Sequence, residues 1–226
     1  MRSTFDRGIM NLLNDVNAMG SRVDRVIGDT YTAVKDKDFV LSKQIYEDDH
    51  KINDMETAIE QSAISLIALQ QPVATDLRRI TAALKLVTDI ERIGDQCADI
   101  CEIMNSNPIF HKFDTPKVIL QMFEKVQGMF VDSLESYVQL DDDLARDVIA
   151  RDDHVDDDFN KAVLELTNRI VEDKKYKEHA VDYLFIAKCI ERIGDHATNI
   201  SEWTLYVTTG VHFSMDDHTD SDDSEV

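Results

Sequence analysis

Residues 86–100 read LVTDIERIGDQCADI, and residues 185–200 read FIAKCIERIGDHATNI. The string Glu91-Arg92-Ile93-Gly94-Asp95 therefore returns unchanged as Glu191-Arg192-Ile193-Gly194-Asp195. Around it, Leu84, Ile90, Ile100 and Glu102 are matched by Leu184, Ile190, Ile200 and Glu202. An identical string set in two equivalent apolar patterns marks an internal duplication. The pattern itself is helical. Leu77, Ile80, Leu84, Val87, Ile90, Ile93, Cys97, Ile100 and Met104 recur in steps of three and four, which lines one face of an α-helix.

Working outward, the same periodicity fills the chain. A first seam runs Phe5, Ile9, Leu12, Val16, Met19, Val23, Ile27, Tyr31, Val34, and Lys35-Asp36-Lys37-Asp38 reads as a turn. A second seam runs Leu41, Ile45, Ile52, Met55, Ile59, Leu66, Leu69 and breaks at Gln71-Pro72. Pro72 suits the first position of the third helix, where no backbone donor is needed. Asn105-Ser106-Asn107-Pro108 closes that helix, and the order then repeats. Pro116 opens a fourth helix through Val138, and Asp141-Asp142-Asp143 marks a turn. A fifth helix carries Leu144 to Ile170 and a sixth Val181 to Leu205, with Gly210 as the stop. The expectation is an all-α chain of two tandem three-helix bundles, six long helices related by a pseudo-twofold repeat, lying end to end or side by side. The halves fall at 1–107 and 108–213. Residues 214–226, with six acids and no Lys or Arg, are expected to be a disordered acidic tail.

The 226-residue chain carries 24 Lys plus Arg against 45 Asp plus Glu, a formal charge of −21. That charge repels phosphate backbones and anionic membrane surfaces, so nucleic acid and lipid are poor partners. No apolar run is long enough to span a bilayer. The three cysteines form neither a CxxC pair nor a disulfide framework, and Cys97 and Cys101 read as small buried hydrophobes. A cytoplasmic, reduced protein is expected.

The chemistry lies in carboxylates at helix positions that ought to be apolar. Glu91 and Asp95 share a helix face four apart, as do Glu191 and Asp195, and such like-charged pairs cost about 0.2–0.5 kcal/mol in an isolated helix. Gly94 and Gly194 cost about 1 kcal/mol each relative to Ala, and their missing side chains permit close approach of a neighbour or an ion. On the preceding helix, Asp49 sits in the seam between Ile45 and Ile52, with Asn53 one turn on. Asp152 sits in the same context between Val148 and Val155, with Asp156 one turn on. A register through Asp153 and Asp157 is also open, but the apolar neighbours favour Asp152. Oxygens converging from two helices suit a hard cation: Mg²⁺, Ca²⁺, Mn²⁺ or iron. The alternative is a solvated face, or pairing with Arg78, Arg79, Arg92 and Arg192. A ferritin-like carboxylate-bridged oxidase would need Glu-x-x-His on two helices, and only Glu47 to His50 has that spacing. A purely structural helical scaffold is the third reading.

The doubled ERIGD strings, with QQPVATDLRRI at 70–80 opening the third helix, closely resemble the PhoU family of phosphate-signalling proteins. The resemblance covers the chain from the first helix to about Gly210. It implies tandem three-helix bundles in a cytoplasmic, often dimeric protein without catalytic activity. It further implies a negative regulator of the phosphate-starvation response, linking the phosphate ABC transporter, through its ATPase PstB, to the sensor histidine kinase PhoR. Family E/D-xxx-D motifs bind metal in some members. By position this points to Asp49, Glu91, Asp95, Asp152, Asp156, Glu191 and Asp195, and to Mg, Mn, Fe or Zn. Asn53 departs from the motif, so the second half is expected to hold metal more tightly.

Overall fold

In the computed structural model, which describes residues 2–107 and 110–211, seven α-helices follow the repeating order read from the apolar seams. They are α1 (Arg2–Asp36), α2 (Phe39–Asp48), α3 (His50–Gln70), α4 (Ala74–Ser106), α5 (Lys117–Gln139), α6 (Asp142–Glu172) and α7 (Lys177–Thr209). No strand occurs among the described residues, and no described helix is long and apolar enough to cross a membrane. The acidic tail lies outside the described residues.

The second seam is two helices rather than one, yet it behaves as a single rod. Asp49 between them keeps right-handed helical angles (φ −56°, ψ −42°), and the Ile52 amide donates to the Asp49 carbonyl at 2.8 Å, a tightened i→i+3 turn. Six rods result, three in each half. The boundary prolines lie one or two residues outside the positions expected of them. Pro72 belongs to the connection, and α4 starts at Ala74. Pro116 is the residue before α5, which starts at Lys117. Side-chain caps from Asp38 to the amides of Val40 and Leu41, and from Asp141 to that of Leu144, satisfy the first donors of α2 and α6. Three helices close with left-handed residues whose amides reach back four. Gly210 (φ 80°) is the expected one, whereas Gln71 (φ 47°) and Leu140 (φ 56°) do the same without glycine's freedom.

The halves lie side by side. The two ERIGD helices, α4 and α7, pack along each other, while α1 lies on α5, so one apolar core runs through both halves. Val16, Val23, Ile27, Ile90, Ile93, Val126, Ile190 and Ile193 are fully buried within it. Polar bonds stitch the contact: Asp89 Oδ1 on α4 faces His196 Nδ1 at 2.9 Å and accepts from Asn199 Nδ2 at 3.1 Å on α7. At one end, the Lys37 ammonium donates to Thr115 Oγ1 and the Tyr183 hydroxyl over the Phe110 ring, tying the end of α1 to the connection before α5 and to α7. Burial lowers that ammonium to a pKa of about 8, against the pull of Asp114. The outer seam residues behave differently. Leu69 (78 % exposed), Leu77 and Val181 stand open at the hairpin ends, because the rods outrun the core. Trp203 is half-buried at its edge.

Glycine supplies the closest approaches. A Cβ on Gly94 would lie 2.8 Å from Ile52 Cδ1 of α3, whereas one on Gly128 in α5 would meet nothing within 4 Å. Gly128→Ala should therefore stabilise the protein by about 1 kcal/mol through helix propensity, while Gly94→Val should destabilise it by about 1–3 kcal/mol through overpacking. Urea unfolding of the two variants measures both signs.

Candidate metal centre

The carboxylates of interest gather where α4 meets the α2–α3 rod and where α7 meets α6. Each junction is built around its glycine. Asp152 Oδ1 lies 3.3 Å from where a Gly194 Cβ would stand, and Asp49 Oδ1 lies 3.7 Å from the corresponding point on Gly94. A side chain there would fill the space the aspartates use. The register through Asp152 is the one adopted. Asp152 is 9 % exposed, whereas Asp153 and Asp157 point to solvent.

In the first half, Glu91 is also 9 % exposed. Burial, and then the charges of Asp95, Glu56 and Asp49, push its carboxyl up to about 7, against the partial relief of Arg92. Asp49 is raised by burial, then by Asp95 and Asp99. Arg92 spans the outer side, with Nη1 3.0 Å from Asp95 Oδ2 and Nε 3.6 Å from Glu91 Oε2. In the second half, burial and then Asp195, Asp156 and Glu191 push Asp152 up to about 7, and the Thr198 hydroxyl gives it some relief. Asp156 and Asp195 form the open edge of this cluster. Both are raised, by burial first and Glu191 second. Lys188 closes on both oxygens of Glu191 and tempers Asp156 and Asp195.

All seven residues singled out in the sequence therefore stand at these two junctions. Two further carboxylates were missed there. Glu56, one turn beyond Asn53's neighbourhood on α3, faces Glu91 and Asp95, while Asn53 itself is exposed. Asp99 faces Asp49 and Asp95. Both were recoverable from spacing, since Glu56 is seven on from Asp49 and Asp99 four on from Asp95, along the same helix stripes. In the second half, Asn199 stands where Asp99 does and bonds Asp89 instead.

The donors fit a hard cation in kind: they are oxygens, several are partly desolvated, and two are left so undercompensated that they rise to about 7. In placement they stop short, because no three His, Cys, Asp or Glu side chains among the described residues close on one point that could hold an ion. Three imidazoles are engaged elsewhere, and the thiols lie in the apolar core. His50 Nδ1 bonds the Glu47 carbonyl, His196 faces Asp89, and His179 lies in the core against Phe113. Cys97, Cys101 and Cys189 are buried, with their thiols raised by burial.

Comparison with known proteins places this architecture. The PhoU domain family model matches residues 16–104 and again 119–204, one match in each half. A phosphate-specific transport system accessory protein PhoU homolog of Clostridium acetobutylicum is 38 % identical over 96 % of this chain and 99 % of its own length. The accessory protein PhoU of Escherichia coli is 31 % identical over 92 % of this chain and 87 % of its own. The crystal structure of PhoU from Pseudomonas aeruginosa superposes with a TM-score of 0.85 at 31 % identity, covering 92 % of this chain and all of that one. The chain belongs to the PhoU family.

The two raised carboxyls set a pH dependence. Glu91 and Asp152 are protonated in the folded protein up to about pH 7 but ionise near pH 4 when unfolded, so the folded state binds more protons between those values. Their burial is thus unfavourable above pH 7 and is relieved as pH falls. Thermal midpoints recorded from pH 5 to 8 in chelator should show E91Q/D152N gaining on the parent chain as pH rises. A constant difference across that range would contradict the assignment.

Proposed function

We propose that this chain is a cytoplasmic negative regulator of phosphate uptake and of the phosphate-starvation response, a non-catalytic adaptor between the ATPase of a phosphate ABC transporter, PstB-like, and a PhoR-like histidine kinase. Family membership supports it, as do the roles named for its relatives. The two quoted above are accessory proteins of the phosphate-specific transport system. A structural neighbour with a TM-score of 0.87 at 25 % identity is the phosphate transport system regulatory protein PhoU from Streptococcus pneumoniae. Long rods with a strongly acidic surface suit docking to basic or amphipathic segments. Regulation through such docking requires that one partner complex be favoured over the other in each phosphate state. A homodimer is part of the reading.

The observation that carries the metal part of the proposal is the doubled carboxylate junction at Gly94 and Gly194, with Glu91 and Asp152 buried in it. Such carboxylates are relieved by a multivalent cation, and oxygen donors favour Mg, Mn or Fe over Zn, which more often takes nitrogen and sulfur. A bound ion would draw α3 toward α4 and α6 toward α7, fixing the spacing of the docking faces.

Deleting the gene should leave phosphate-regulated expression switched on in high phosphate, measured with a phosphate-responsive reporter. Co-purification from phosphate-replete cells should recover the transporter ATPase or the kinase, and recovery of neither would count against the adaptor role. Elemental analysis should find metal in the purified protein and substantially less in E191A/D195A. Equal metal in both would remove these residues from the site while leaving the regulatory role standing.

A further inference from the structure

The first two rods of each half share a register. Asp38 and Asp141 cap α2 and α6, and Lys37 and Leu140 before them share a left-handed backbone (φ 59° and 56°). On that register Val16, Val23 and Ile27 of α1 answer to Ile119, Val126 and Phe130 of α5, all fully buried. The charges beside this seam do not correspond. In the second half Arg151 of α6 bridges to α5, with Nη2 2.6 Å from Asp132 Oδ2, and also meets Asp147 Oδ2 at 3.2 Å. Lys125 of α5 pairs with Asp158 of α6 at 2.6 Å. In the first half Asp48 stands in the place of Arg151, Arg22 in that of Lys125 and Arg25 in that of Gly128. Asp48 turns to Lys51, which donates to its Oδ1 at 2.5 Å and, with a smaller pull from Arg22, holds that carboxyl below the usual range. No ion pair joins α1 to α2 among the described residues. Arg22 and Arg25, three apart on α1, make no ion pair or hydrogen bond there, in a chain with 45 acids, and Arg22 Nε is buried without a partner. Both features are unfavourable as they stand, because adjacent like charges repel and a buried donor has lost its water without replacement. The two arginines line a half-enclosed cavity of about 190 Å³ between α1 and the α2–α3 rod, together with Asp29, Gln44, Asp48, Asp49 and aliphatic side chains of both rods.

We infer that this cavity binds a protonated tetrahedral oxyanion, inorganic phosphate, with Arg22 and Arg25 as its cationic side and Asp29 as the acceptor for the P–OH group. Guanidinium forks match the oxygens of such an anion in geometry and charge. The volume is below the roughly 300–1,000 Å³ of sites that take drug-sized molecules, and suits a small ion with part of its hydration. The acids on the walls decide which anion is admitted. Asp48 is taken by Lys51, and Asp49 Oδ1 lies against Gly94. Asp29 is half-buried and has no partner among the described residues. A carboxylate repels an anion that has no proton to give, and accepts a hydrogen bond from one that has. Near neutral pH inorganic phosphate keeps a proton, sulfate has none, and a phosphate monoester loses its last one near pH 6. The mixed lining therefore favours phosphate over both. A bound anion would do for the first half what Arg151 does for the second, tying the first rod to the next through charge. The site is independent of the metal reading and of the adaptor role; where it holds, it gives the regulator a ligand of its own.

Isothermal titration of the chelator-treated full chain, in phosphate-free buffer at about pH 7.5 and physiological ionic strength, tests the site. Inorganic phosphate should bind, with sulfate and methyl phosphate at least about tenfold weaker. R22Q/R25Q should bind phosphate at least about tenfold more weakly than the parent chain. D29N should lose the discrimination and take up sulfate as tightly as phosphate, a gain that only a folded chain can show. Circular dichroism melts identify a double variant that has not folded, and R25Q, at an exposed position, then carries the comparison. Absence of phosphate binding by the parent chain, or binding that the arginine substitutions leave unchanged, overturns the inference. Sulfate and methyl phosphate bound by the parent as tightly as phosphate would reduce the cavity to a general anion contact and overturn it too. Phosphate binding by a chain that recovers neither transporter ATPase nor kinase from cells supports the site and removes the adaptor role alone.

Discussion

Two helices that present carboxylates to each other pack closely only where those carboxylates are protonated or positive charge reaches the seam. Here α4 against α3 and α7 against α6 meet that constraint with glycine at the point of contact and acids on both sides of it. Removing the Cβ brings the rods together, and bringing them together desolvates the acids, which is why Glu91 and Asp152 rise to about 7. The geometry thus creates a demand for cations, and the two halves answer it differently. The first sets Arg92 against Glu91 and Asp95, and the second sets Lys188 against Glu191.

Duplication and divergence can be separated residue by residue. What both halves keep is the Glu-Arg-Ile-Gly-Asp string, an aspartate on the partner rod aimed at the glycine, and an apolar lining that is fully buried. What they do not keep is the charge around it. Thr88 answers to Lys188, Asp99 to Asn199, and Arg92 pairs with Glu91 and Asp95 of its own half where the charge of Arg192 falls on Asp99 of the other.

The six rods could be read from periodicity alone because the seams keep steps of three and four over many turns, and such long repetition leaves little room for a strand. Helix ends were less legible. Gln71 and Leu140 close helices in the left-handed conformation usually left to glycine, and nothing in their identity announces it. The break at Asp49 is a single tightened turn, too small to disturb the apolar period. At the candidate site, Asp49 and Asp152 could be found because an acid in an apolar seam contradicts its neighbours. Glu56 and Asp99 escaped because they stand on the more exposed flank of the same stripe, where an acid is unremarkable. Lys188 escaped for the same reason: a lysine on a charged helix reads as solvated until its partners are known. Side-by-side packing was open in the sequence, since an apolar seam does not say which other seam covers it.

That packing ties the histories of the two repeats together. The inner face of α4 packs along α7, so a change of volume in that seam has to be accommodated by the other repeat. The contact has the pseudo-symmetry that two single-repeat chains would need to assemble as a dimer, now held within one polypeptide. Fusion frees such a pair from the requirement that both members be identical. Position 88 and position 188 can then differ, one a hydroxyl and the other a cation, which no symmetric assembly of identical chains could allow.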